Sequence, residues 1–464
     1  MTDQTFEKTS RIPASAHDLF EWHSRPGAFS RLSPPWQQVR LRAGSTGLRE
    51  GSRVVLELKS GPFHRTWVAE HRNVRPGLGF QDIQVEGPFS RWEHTHDFSS
   101  ADDTHSELRD SIAYRLPAGA LGNLVGKDFV HGELERVFTY RHETTADDLR
   151  LYAKFRNLPR LRVALTGGSG FIGTAFIHLL TTQGHSVVPM ARAATVESSH
   201  LPTWNTEAGI LNPQTLEGID AVVHLAGESV SEGRWNQAKK RRIRNSREQG
   251  TARLVKSLVE LKKPPKVLVA ASAIGFYGPR DDEILDEQSD RGTGFLSEVA
   301  EAWESAAQVA AGAGIRVVNS RFGVVLSPTG GALGKMLPLF RAGAGGVIGS
   351  GAQWVSWISL DDSIAALLHS LMSPDLEGPV NLTAPNPVDN RELTKVLARV
   401  LRRPALARVP SLAARVAFGE MADEMLLTGS RVVPNQLLGS GFEFRHPDLE
   451  TALRHLLGRT DETG

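Results

Sequence analysis

The sequence predicts an α/β protein: a doubly wound parallel sheet with a C-terminal substrate lobe, preceded by a smaller α+β domain. Three observations carry this. From residue 161 onward, short apolar strands alternate with helical periodicity, the pattern of a parallel sheet with crossover helices. A glycine-rich turn joins the first of those strands to a helix at 166–173. Before residue 150 the texture differs, with short alternating segments followed by one amphipathic stretch.

The length of 464 residues suits two or three domains. A formal charge of +1 gives no bulk attraction to nucleic acid or an anionic membrane. Cysteine is absent, which removes disulfides, thiolate nucleophiles and Cys-ligated zinc together. No stretch approaches the roughly 20 apolar residues of a membrane span, and Met1 to Lys8 has no signal-like core. The expectation is a cytoplasmic protein without membrane or nucleic-acid partners.

The first domain is set at 1–150. Ser15 to Leu32 contains a short helix after Pro13. Strands are expected over Arg53–Lys59, His64–His71, Gly79–Val85, Arg91–Phe98 and Ser106–Tyr114, and a long amphipathic helix from Leu121 to Phe138. Period-two spacing puts Trp92, His94, His96 and Phe98 on one strand face. Leu108, Asp110, Ile112 and Tyr114 share another, and the two are expected to oppose across a cavity for an apolar ligand with a polar end. A solvated face is the first reading of His94 and His96. Metal ligation is the lesser alternative, and no metal is expected.

Thr144 to Asp148 reads as a polar, turn-like linker. The nucleotide domain is set at 160–328. Leu161–Leu165 is its first strand, followed by Thr166, Gly167, Gly168, Ser169, Gly170, Phe171, Ile172 and Gly173. Ile172, Ala175, Phe176, Leu179 and Leu180 repeat at helical spacing, and Ser186–Ala191 is a second strand. A G-x-G-x-x-G between strand and helix in a β-α-β unit is the dinucleotide fingerprint of a Rossmann fold. Glycine lets the backbone approach a pyrophosphate, which the helix N-terminus then holds. Arg192 follows the second strand where an NAD site carries an acid, and no acid appears before Glu197. The expected cofactor is therefore NADP(H), with Arg192 on the 2′-phosphate.

Further strands are expected at Asp220–Gly227, Lys266–Ser272 and Arg316–Arg321, with a helix marked by Phe295, Leu296, Val299, Ala300, Trp303 and Ala307. The basic run Lys239 to Arg244 reads as a solvated helix face, with one or two residues near Arg234 and Arg247 serving an anion site by the cofactor. The lobe at 329–464 opens on a glycine-rich loop through Gly351. A strand over Trp354–Ile358 follows, then Asp361-Asp362 as a helix N-cap, and helices over Glu392–Leu401 and Pro410–Leu427.

Several phrases resemble known families. The strand order and the phrases Trp92–Phe98 and Asp110–Pro117 resemble the START-like, polyketide-cyclase-like helix-grip superfamily. The succession Thr-Gly-x-x-Gly-x-x-Gly, His224-Leu225-Ala226-Gly227, Ser272, Tyr277-Gly278 and Arg321–Leu326 resembles extended short-chain dehydrogenase/reductases. Gly227-Glu228, Arg234-Trp235, Gly275–Gly278 and Ser356-Trp357-Ile358 are similar to its atypical epimerase family, some bacterial members of which carry a START-like domain in front. That resemblance implies cofactor contacts from the fingerprint, Leu225, Ala226, Gly227, Glu228 and Arg247.

One departure matters. Family members use a Tyr-x-x-x-Lys pair for proton exchange. The four tyrosines here, Tyr114, Tyr140, Tyr152 and Tyr277, are followed four residues on by Ala118, Thr144, Arg156 and Asp281. Ser272 and Tyr277 are the remaining candidates for the catalytic groups. Two classes stay open: an NADP(H)-binding atypical oxidoreductase or nucleotide-sugar epimerase, or a non-catalytic nucleotide sensor, ligand carrier or regulator.

Overall fold

β1 (Gln4–Ile12) opens a seven-stranded antiparallel sheet, and α1 (Ala16–Ser24) and α2 (Ala28–Arg31) follow it. The remaining strands are β2 (Gln38–Gly44), β3 (Arg53–Ser60), β4 (Phe63–Arg75), β5 (Gly79–Glu86), β6 (Arg91–Ser100) and β7 (Ser106–Arg115), in the order β1-β7-β6-β5-β4-β3-β2. A 36-residue helix, α3 (Gly119–Lys154), comes next. The structure is a computed structural model and describes residues 3–44, 47–60, 63–117, 119–192, 202–205, 209–210 and 212–459. The chain divides into two units, Met1–Leu158 with Thr181–Gly184 and His455–Gly464, and Pro159–Leu180 with His185–Arg454.

In the first unit the five expected strands are present, and β1 and β2 join them. Ser15 caps α1 by accepting from the Asp18 amide at 3.1 Å, and Leu19, Phe20 and Trp22 are buried beneath it. β6 and β7 pair with Trp92 opposite Tyr114, His96 opposite Asp110 and Phe98 opposite Leu108. Residues directly opposite in an antiparallel pair lie on the same face. The two expected faces are therefore one continuous surface and do not oppose each other. All eight of its residues are buried, against α1 and α3 side chains such as His23 and Phe138. His94 and His96 are 3% and 6% exposed, so the solvated reading is corrected.

The linker at Thr144–Asp148 is also corrected. It lies inside α3, where Thr144, Thr145 and Asp148 are buried. The reason is tertiary: Arg31 donates to both Asp148 oxygens, from Nε at 2.9 Å and Nη2 at 2.8 Å. This bidentate pair from α2 keeps the last turns of α3 helical over residues whose side chains favour turns.

In the second unit β8 (Arg162–Thr166), α4 (Phe171–Thr182) and β9 (Ser186–Pro189) form the first β-α-β unit. Strands Ala221–His224, Val267–Ala273, Arg316–Phe322 and Gly378–Leu382 continue a six-stranded sheet. Read from one edge, Gly378–Leu382 is followed by Arg316–Phe322, Val267–Ala273, Ala221–His224, β8 and β9, all parallel. The four central strands are buried almost throughout, as their continuous apolar runs require, while the edge strand β9 is not. The loops at their carboxyl ends form one rim, where parallel sheets place ligands.

Three details of the last third differ from expectation. Trp354–Val355 and Trp357–Ser359 are separate short strands, the first antiparallel to Val388–Asp389 and the second parallel to Val324–Leu326. The N-cap of helix Leu360–Met372 is Ser359, whose Oγ accepts from the Asp362 amide, while Asp361 and Asp362 sit inside its first turn. Gly419, at φ +65°, breaks the expected 410–427 helix into Ser411–Phe418 and Glu420–Met425.

Candidate functional site

The fingerprint turn is shaped by close backbone approach. β8 ends at Thr166, and Gly167 turns at φ +75°, a conformation that favours glycine. A Cβ on Gly167 would fall 2.8 Å from the Leu225 carbonyl carbon. One on Gly173 would fall 2.3 Å from Gly167 O, so only glycine lets α4 start this close to the strand. Gly170 N donates to Gly167 O at 3.0 Å, and Thr174 N to Gly170 O at 2.8 Å. Gly168 is half-buried, Ser169 and Gly170 are exposed, and Phe171 and Ile172 are half-buried. The first-turn amides of α4 have no partner within the helix and form its positive end. This is a surface a diphosphate fits and a side chain would fill.

The neighbouring strand end is tied to the same turn. Leu225 N donates to Thr166 O, and Ala226 N to Thr166 Oγ1, both at 3.3 Å. Thr166 Oγ1 lies 2.7 Å from His224 Nδ1, and His224 Nε2 lies 3.1 Å from Thr251 Oγ1. Arg247 donates to the carbonyls of Glu228 at 3.0 Å and Ile243 at 3.2 Å, with its guanidinium over the Trp303 ring. It thus braces the 225–228 loop, and a Cβ on Gly227 would meet its guanidinium at 3.3 Å. Burial brings its pKa down to about 10. The Glu228 carboxylate accepts from Lys239 at 2.8 Å, and its amide donates to Ser246 Oγ at 3.0 Å. Lys239 is buried, Lys240 pairs with Glu420, and Arg244 with Glu298. Arg241 and Arg242 are exposed, as on a solvated helix face, while Lys239 is drawn inward to Glu228. Arg192 lies on a two-residue strand, opposite Trp204 in a parallel ladder. Its side chain, like Glu197, lies outside what the structure describes.

His224 supplies a pH test of this packing. Burial, with the Arg247 charge adding to it, lowers its pKa from 6.5 to about 4. The folded state therefore holds it neutral, while the unfolded chain takes up a proton below its ordinary value. Its contribution is complete above 6.5 and is lost as pH falls toward 4. Between pH 7 and pH 5 the share is about 2 kcal/mol. Urea unfolding of His224→Gln should show a pH 7-to-5 loss smaller than the parent's by about that amount. Equal losses would contradict the assignment.

On the same rim, strand Val267–Ala273 delivers Ser272 and the following turn Tyr277. Ser272 Oγ donates to Glu304 Oε1 at 2.6 Å. Glu304 lies on helix Phe295–Gln308 and is gripped by Arg321, from Nε at 2.7 Å and Nη2 at 2.8 Å. Arg321 also donates to Tyr277 OH at 2.9 Å, and Tyr277 OH donates to Asn381 Oδ1 at 2.8 Å. The Arg321 guanidinium stacks on Phe276, 3.6 Å from its centroid. Tyr277 is fully buried, and burial pushes its hydroxyl up to about 12, so it stays protonated. The structure thus brings Ser272 and Tyr277 into one hydrogen-bonded chain through two residues that sequence reasoning passed over. Arg321 belongs to the family-like stretch Arg321–Leu326, where nothing local marks it as a partner of Ser272 or Tyr277. Glu304 stands one helical turn beyond Ala300, and only the fold aims it at Ser272.

A family model described as "NAD dependent epimerase/dehydratase family" matches residues 163–407, more than half of the chain. The chain belongs to that family. A second model, "Polyketide cyclase / dehydrase and lipid transport", matches 12–137 of this epimerase-family chain, and one for a domain of unknown function matches 409–456. An epimerase family protein of Mycobacterium bovis is 43% identical over 297 residues, 64% of this chain and 98% of that protein. The human epimerase family protein SDR39U1 is 36% identical over 300 residues, again 64% of this chain and all of that one. Its isoform 2, solved with NADPH, superposes with a TM-score of 0.60, covering 65% of this chain and all of that one at 34% identity. A structure described as the nucleoside-diphosphate sugar epimerase from Corynebacterium glutamicum covers 98% of this chain and 90% of its own, with a TM-score of 0.79 and 31% identity. Among the described residues, no helix is long and apolar enough to cross a membrane.

Proposed function

We propose that this chain binds NADP(H) on the 166–173 turn and acts as an atypical oxidoreductase or epimerase on a nucleoside-diphosphate sugar. The observation that carries the reading is the glycine cradle, where a Cβ at Gly167 or Gly173 would strike backbone at 2.8 and 2.3 Å. The dinucleotide supplies hydride acceptance and return. Thr166, Gly167, Gly168, Ser169, Gly170, Phe171, Ile172 and Gly173 would hold its diphosphate, Leu225 to Glu228 would border it with Arg247 behind them, and Arg192 would serve the 2′-phosphate. The bound NADPH of the human relative and the sugar-nucleotide description of the Corynebacterium structure support the choice of cofactor and substrate class.

The proton falls to Ser272. Its hydroxyl is held at 2.6 Å by Glu304, a carboxylate fixed by Arg321, so it can take a proton from a sugar hydroxyl while passing its own to Glu304. Tyr277 positions Arg321 from the far side.

The test is hydride transfer from labelled NADPH to a panel of keto-sugar nucleotides, with Ser272→Ala as comparison. Transfer should occur and should fall about 10²–10⁴-fold in the variant. A second reading, a nucleotide-binding protein without catalysis, is favoured by one observation: both candidate hydroxyls are already engaged inside the protein. NADPH binding with no transfer to any member of the panel would decide for it.

A further inference from the structure

The inner face of the N-terminal sheet carries a cluster that the nucleotide site does not use. β5 contributes Asp82, β6 His94 and His96, β7 Asp110, and α3 His142. One donor atom from each of Asp82, His94 and His96 lies within 4.8 Å of the others. His94, His96, Asp110 and His142 are all more than nine-tenths buried, whereas the Asp82 side chain is 25% exposed. We propose that Asp82, His94 and His96 form a binding site for a divalent transition-metal ion of the zinc or iron(II) class.

The donor set suits that class. Two imidazoles and one carboxylate are ligands of intermediate hardness, and such a trio leaves a coordination position open. His96 Nε2 lies 3.4 Å from Asp82 Oδ2. Two ligand atoms about 2.1 Å from a tetrahedral ion stand about 3.4 Å apart, so the pair is already at ligand spacing.

The surroundings are those of oriented ligands. Asp110 Oδ1 lies 2.8 Å from His94 Nε2 and 2.6 Å from His96 Nδ1, and its Oδ2 lies 2.7 Å from His142 Nε2. His142 is fixed in turn by Ser10 Oγ at 2.8 Å. His71 Nδ1 lies 2.5 Å from the other Asp82 oxygen. The Asp110 carboxylate behind His94 holds that ring and its tautomer in this way. The His96 Nδ1 atom has this ion-pair contact but no hydrogen bond. A cation on Nε2 would fix the ring without it. Phe80 stacks on His96 at 4.1 Å and Phe138 meets His94 edge-on at 5.1 Å, so the ion sits in an apolar wall. The partly exposed Asp82 marks its way in.

The sequence alone argued against a metal by treating both histidines as solvated, and their burial removes that ground. The test is titration of chelator-stripped full-length protein with Zn²⁺ by calorimetry and with Co²⁺ by visible absorption. One equivalent of each should bind, Co²⁺ with the ligand-field bands of a low-coordinate site, and Zn²⁺ should raise Tm. Asp82→Asn, chosen because its side chain is partly exposed and its loss spares the buried rings, should weaken binding at least tenfold. His94→Ala with His96→Gln should abolish it, and His64→Ala, on an exposed ring, should leave it unchanged. No saturable binding of either ion to the parent protein overturns the proposal. So does stoichiometric binding that Asp82→Asn leaves intact.

Discussion

Arg321→Met is expected to lower the free energy of unfolding by about 3–5 kcal/mol, the usual cost of removing one partner from a buried ion pair. The side chains of Arg321 and Glu304 are 4% and 12% exposed, and Arg321 also bonds Tyr277 OH. Methionine fills the space but leaves the Glu304 carboxylate with one donor, Ser272. Burial alone would lower the Arg321 pKa, yet its bonds to Glu304 raise it, so Arg321 is charged in the folded state. Urea denaturation should show a reduced midpoint with an unchanged m value. Replacing both partners, Arg321→Met with Glu304→Met, should recover most of the loss, because no uncompensated charge is left behind. A loss under about 1 kcal/mol in the single variant would show that the pair is solvated.

Gly173→Val should abolish stabilisation by NADPH. The added Cβ would sit 2.3 Å from Gly167 O, and that oxygen belongs to the turn itself and cannot rotate away. α4 must then shift off β8, and the amides that would face the diphosphate shift with it. At a thousandfold excess over its dissociation constant NADPH contributes about 4 kcal/mol to the parent protein. For a unit of this size that is a Tm rise of roughly 8–16 °C if unfolding is two-state. Because valine also destabilises the free protein, the informative quantity is the difference in Tm with and without NADPH. A difference equal to the parent's would place the diphosphate elsewhere.

What could be read from the sequence was what local pattern determines. The parallel strands announced themselves as apolar runs, and the turn at 166–173 needs its glycines for reasons confined to three neighbouring segments. The misreadings share one cause, a partner far away in the chain. Thr144–Asp148 looks like a turn until Arg31, 117 residues earlier, pairs with Asp148. β1 is mostly polar, with Glu7, Lys8 and Arg11 charged, and is a strand because β7, about a hundred residues later, pairs with it from Gln4 to Ile12. His94 and His96 look like surface residues until Asp110 and Phe138 close over them. Glu304 has no local signature, since its role arises only where three segments bring Ser272, Arg321 and its own helix together.

On this reading the glycine turn holds NADP(H), chosen over NAD(H) by Arg192. Calorimetric titration of the full chain with NADPH and with NADH tests it most directly, repeated on Arg192→Ala. NADPH is expected to bind at least about tenfold tighter, a difference of about 1.4 kcal/mol, with near-equal affinities in the variant. Equal or tighter binding of NADH by the parent protein, unchanged by Arg192→Ala, would contradict it.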